Sequence, residues 1–161
     1  MLLLVALLPL AAGCGGGGGS DDSAGAAIFT RAQDGIRRLG SSAVHLHVRV
    51  ETPVPVQRSV DLHATDLLKL DLTRWVKDPR RTPCGDELEC AKADLDVQGA
   101  LEALKPVLPS LPVDRQDIRS ATVNVAVDEN GRTRYVHIHG TVRVPVLGEV
   151  PFEADLDSRT P

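Results

Sequence analysis

Aromatic side chains are nearly missing from this sequence: Trp75, Tyr135, Phe29 and Phe152 are all it has among 161 residues. Any hydrophobic core must therefore be assembled from Val, Leu, Ile and Ala. Lysine is scarce, and acids outnumber bases to leave a net charge of −4. With no basic stripe to neutralise phosphates, nucleic acid is not an expected partner. The opening apolar run, residues 1–13, falls short of the roughly 20 residues a membrane-crossing helix needs. Nucleophile and metalloprotease signatures are also missing, with no G-x-S-x-G, S-x-x-K or H-E-x-x-H. No glycine-rich phosphate loop follows a strand, and nothing pairs two acids for acid–base work. The expectation is a non-enzymatic protein with no cofactor. At 42% apolar and 25% charged residues the chain is ordinary globular material, and its length suits one domain.

What is present begins with "MLLLVALLPLAAG", whose length fits the apolar region of an export signal. The run ends in Ala11, Ala12 and Gly13, small residues a peptidase accommodates, followed by Cys14. This ending resembles the bacterial lipobox, in which the Cys thiol receives a diacylglyceryl group and becomes the mature N-terminus. Cysteine arithmetic agrees. Three Cys in an exported chain leave one unpaired. With Cys14 lipidated, Cys84 and Cys90 remain to form a disulfide across "CGDELEC". A zinc reading of that pair is weaker, because its spacing exceeds the usual C-x₂₋₄-C and no second pair follows. Residues 14–25 then read as the lipidated Cys with a Gly-rich flexible tether, and 26–161 as a single α+β domain.

Periodicity organises that domain. In 26–39, Ile28, Ala32, Ile36 and Leu39 fall at helical spacing, although Gly35 weakens the helix. The period then becomes two, predicting strands at 43–51, 58–65 and 67–73. A Pro- and charge-rich connection carries the two cysteines. A second helix is expected over 95–105, capped by Asp94 or Asp96, and strands at 121–127, 132–144 and 149–157. "DENG" marks the turn of a hairpin. The fold class is α+β: a single curved antiparallel sheet of about six strands, order α-βββ-α-βββ, with two amphipathic helices on its apolar concave face.

Two groups of candidate site residues follow. The first faces the helices: Val44, Leu46, Val48, Leu70, Val125 and Ile138 from strands, with Ile28, Ile36, Leu101 and Leu104 from helices. These either line a ligand cavity or pack on one another as a closed core. The second is polar: His45 with His47, and His137 with His139. In a strand, i and i+2 share a face, so adjacent strands could bring four imidazoles to one metal. The same pattern also describes a solvated sheet face, and no metal is the expectation.

The "AAGC" ending, the linker, the amphipathic helix and "GSSAVHLHVRVE" together look like small actinobacterial cell-envelope lipoproteins. Abundant Arg and Val beside scarce Lys suit such a GC-rich source. More specifically, residues 10–51 resemble the mycobacterial LppX/LprG-type family, within the LolA-like carrier fold. That resemblance implies a curved antiparallel sheet over helices, an apolar cavity, and transport of acylated lipids or glycolipids. The expected location is the extracytoplasmic face of the cell membrane, held by acyl chains such as palmitate on Cys14. Two alternatives stay open. One is an anchored structural or protein-interaction module with a closed core. The other is an envelope metal-binding protein using the H-x-H pairs.

Overall fold

A computed structural model describes residues 19–39, 43–53, 56–63, 71–104 and 117–158. Cys14, the export signal and Leu70 lie outside these residues, as do the side chains of Val44 and Leu104. The described elements are α1 (Gly19–Arg38), β1 (Ala43–Val50), β2 (Val56–His63), α2 (Leu72–Trp75), β3 (Val76–Thr82) and β4 (Leu88–Leu95). They continue with α3 (Val97–Leu104), β5 (Ile118–Asp128), β6 (Thr133–Val144) and β7 (Gly148–Ser158).

The strands form one open antiparallel sheet in the order β2-β1-β7-β6-β5-β4-β3. Strands β3 to β7 make a meander, and the β1–β2 hairpin adds to it through β7. The α+β class and the single antiparallel sheet are as the alternation implied, with seven strands among the described residues in place of about six.

The extra strand comes from the Cys-bearing connection, which folds as the β3–β4 hairpin. It was illegible for a physical reason. Strand β3, "VKDPRRT", lies on the sheet edge and carries Pro79, a register shift between Lys77 and Arg80, and Asp78 at φ 49°. Such devices blunt an edge against further pairing and erase the period-two signal. Its neighbour β4 buries Ala91 and Ala93, whose small side chains scarcely register as an apolar face.

Of the strand expected at 67–73, residues 67–70 lie outside the described residues, and residues 71–73 are not strand. Leu72–Trp75 is a helical turn. Asp71 caps it, its carboxylate accepting from the Thr73 amide at 3.2 Å. The Leu72 amide donates to Gln33 Oε1 of α1 at 2.9 Å, so this backbone is committed to a cap and a helix contact, with none left for a ladder. Gln33 itself is 2% exposed, a buried polar group whose oxygen has found its donor.

Helix α1 starts at Gly19, so "GSDDSAG" is helical where a tether through residue 25 was expected. Asp21 and Asp22 in the first turn and Arg37 and Arg38 in the last complement the helix dipole. Gly25 is buried against β3, where a Cβ would lie 2.5 Å from the Pro79 carbonyl oxygen. Only a bare backbone allows that approach. The apolar face of α1 places Ile28, Phe29, Ala32 and Ile36, each at most 4% exposed, on Ala91, Ala93, Val123, Val125, Val127 and Val136. Each fully buried large side chain contributes about 1.5–3 kcal/mol relative to exposure.

Helix α3 begins after Asp96, which accepts from the Ala100 amide through its carbonyl at 3.0 Å and from the Gly99 amide through its carboxylate at 3.5 Å. Of the two expected caps, Asp96 takes the role. The β5–β6 turn follows "DENG": Asp128 Oδ1 accepts from the Asn130 and Arg132 amides at 3.0 and 2.8 Å.

Candidate functional site

The sheet has two chemically different faces, and the sequence candidates divide between them. On the helix side, α1 packs over β3, β4, β5 and β6. Beneath it Ile28, Ile36 and Val125 belong to a closed core, with Val125 and Val123 wholly buried. Beyond α1 the same apolar face continues across β1 and β7. Cross-strand neighbours there are Leu46 and Leu156, Val48 and Ala154, and Val50 and Phe152. Leu46, Val48, Val50, Ile138, Phe152 and Leu156 are all only half-buried. Leu46, Ile138 and Leu156 touch the margin of the core, and Leu101 of α3 is half-buried as well. The seven apolar candidates whose side chains are described therefore do not form one lining. Some fill a core, and others make an aliphatic margin beside it.

A shallow cleft of about 410 Å³ lies elsewhere, between Asp21 at the start of α1 and the β3–β4 loop, with Arg81, Thr82, Cys84, Asp86 and Leu88 around it. Its mixed charge does not suit an acyl chain. Cys84 and Cys90 are disulfide-bonded, with Cα atoms 6.0 Å apart, and staple this loop. Cys90 points to the polar face, in register with Ala126 and Tyr135. Having no thiol proton, its sulfur accepts from the Tyr135 hydroxyl at 3.5 Å. Ala126 is fully buried in the row between them, so the disulfide and the tyrosine make a small apolar island on the outer face.

The histidines occupy that outer face, but β7 separates the two pairs. The order β1-β7-β6 sets His45 and His47 two strand spacings from His137 and His139, about 10 Å. Strand β7 inserts Asp155 between His47 and His137, and Glu153 between Arg49 and His139. The site that alternation suggested as four imidazoles is instead a ladder of alternating base and acid. His137 Nδ1 lies 2.5 Å from Asp155 Oδ1, and the His137 and His139 rings are 5.7 Å apart. Burial lowers the His139 pKa from its ordinary value, assisted by the charges of His137 and Lys92 and opposed by Glu153. The Asn124 amide lies 3.3 Å from His139 Nδ1 and can donate to it, which favours the neutral ring. Among the described residues no group of three donor side chains is placed to hold a metal ion.

Sequence reasoning did not pick out Asp155 and Glu153, because nothing local announces that the last strand threads between β1 and β6. Phe29 was also passed over, although its place one residue from Ile28 puts it on the same helix face. No helix among the described residues is long and apolar enough to cross a membrane. No protein-family model matches the chain, and no curated protein matches it at a significant level.

Proposed function

We propose that this chain is a lipid-anchored, extracytoplasmic, non-enzymatic lipoprotein that binds the acyl chain of a lipid or glycolipid on its aliphatic margin, in the manner of LppX/LprG-type carriers. The observation that carries the reading is the unequal cover of the sheet. Helix α1 closes the core over β3 to β6, while Leu46, Val48, Val50, Ile138, Phe152 and Leu156 on β1, β6 and β7 stay half-buried. A contiguous aliphatic strip of this kind gains about 0.8 kcal/mol for each methylene it removes from water. On the same face β2 sets Arg58 opposite Val48, so the strip has a basic residue at its border. The apolar leader ending in Cys14 supports membrane anchoring, and the Cys84–Cys90 disulfide supports an oxidising compartment.

Native mass spectrometry of the protein extracted from its own membrane tests this. Bound lipid is expected on the parent chain, and about tenfold less on Val50→Glu, whose cross-strand neighbours are Val56 and Phe152, since one unpaired charge on the strip costs a bound tail about 1.4 kcal/mol or more. A lipid-free parent protein overturns it. The second reading, an anchored protein-interaction module, draws on the closure of the core under α1 and on Tyr135, exposed on the outer face beside buried Ala126 and Cys90. Crosslinking in the native envelope would then capture one consistent partner through Tyr135.

A further inference from the structure

We propose that the β6–β7 hairpin tip, Pro145–Val146–Leu147, inserts into the bilayer as a second, non-covalent membrane contact. The inference rests on the lipoprotein reading above for its partner and on the tip's own geometry for its site.

The geometry is unusual in two independent ways. Val146 is fully exposed and Leu147 is 47% exposed, more than any other large hydrophobic side chain among the described residues. Val146 also holds φ +75°. The Leu147 amide donates to the Val144 carbonyl at 3.2 Å, which makes Pro145 and Val146 the central pair of a four-residue turn. Proline suits the first central position, but a positive φ at the second calls for glycine or asparagine. A β-branched side chain there is a backbone outlier. The strain offsets no burial, because the side chain it positions touches only solvent. Folding alone would favour glycine at 146 and solubility a polar residue. Presentation of an apolar side chain is what valine supplies.

A bilayer fits this tip better than a protein pocket. The tip is convex and narrow, and Arg143 and Glu149 form an exposed cross-strand pair two steps behind it, after Val144 and Gly148. Two apolar side chains ahead of a charged collar match the depth profile of a membrane interface, with tails below and headgroups above. Because α1 begins at Gly19, the tether from Cys14 spans five residue steps. It reaches at most about 18 Å, so an anchored domain is never far from the membrane surface. The tip is also continuous with the aliphatic margin. From it, β7 runs through Val150 to Phe152, beside Val50 of β1. Contact by the tip would thus bring the open end of that strip to the lipid tails.

The test uses the acylated full chain in phosphatidylcholine vesicles brominated near the glycerol end of one tail. Leu147→Trp is compared with the parent chain, whose Trp75 supplies the background. The expected result is a blue-shifted emission from the introduced indole, quenched about twofold or more by the brominated lipid and shielded from aqueous iodide. Val146→Gly in the same background should raise Tm by relieving the turn, yet reduce the brominated-lipid quenching. A merely structural valine would not give that opposition. An indole at the tip equally open to iodide with and without vesicles overturns the proposal, whatever else the tip meets. Absence of an acyl mass on Cys14 would instead count against the anchor reading. The unacylated chain mixed with the same vesicles still reports the tip, so the two failures are distinguishable.

Discussion

Gly35 sits in the last turn of α1, where helix propensity alone favours alanine by up to about 1 kcal/mol. Its backbone rests against Thr133, whose hydroxyl donates to the Ala32 carbonyl at 2.7 Å. A Cβ would collide with both the Thr133 side chain and its amide. Gly35→Ala is therefore expected to destabilise the fold by about 1–3 kcal/mol, reversing the sign propensity gives, as urea unfolding would show. Phe29→Ala removes the largest fully buried side chain and should cost about 3–5 kcal/mol by the same measurement. His139 supplies a pH dependence. Its folded pKa lies below the unfolded value of 6.5, so the unfolded chain binds the proton more readily. The associated stability is present above pH 6.5 and is lost as pH falls through the folded value. Denaturation curves from pH 7 downward should show a shallower decline for His139→Gln than for the parent chain.

Among the elements, the β3–β4 hairpin is held by α1 above it and by β5 beside it. Its edge strand has Pro79 and a register break, yet β4 behind it carries two residues of the closed core. Arg31 of α1 pairs with Glu89, which also lies 3.9 Å from Arg81, but exposed pairs of this kind add little. The staple matters more. Loop-closure entropy for so short a loop is about 2 kcal/mol, so Cys84→Ser with Cys90→Ser should lower stability by roughly that amount. Hydrogen exchange should quicken in β3 and β4 while β5 and β6 keep their protection. Faster exchange across the whole sheet would show that the hairpin and the core open as one unit.

At the scale of the whole molecule, the lipid proposed on Cys14 would hold the domain at the membrane. Cys14→Ser should move the protein from the membrane fraction to the extracytoplasmic soluble fraction without changing its melting curve, because no described core residue lies before Ile28. The antiparallel sheet, the amphipathic helix and the pairing of Cys84 with Cys90 were all legible in the order of residues. Each is a local pattern: a period of two, a period of 3.6, or a short loop between thiols. Strand order was not legible, because period-two alternation states which face is apolar and is silent about which strand lies beside which. Only the insertion of β7 between β1 and β6 set Asp155 and Glu153 among the histidines. Only the path of α1 decided which aliphatic residues became closed core and which stayed an open margin. Gly25, Gly35 and Ala91 read as weak positions along the chain, yet they are where backbones meet, since close packing needs the absence of a side chain as much as its presence.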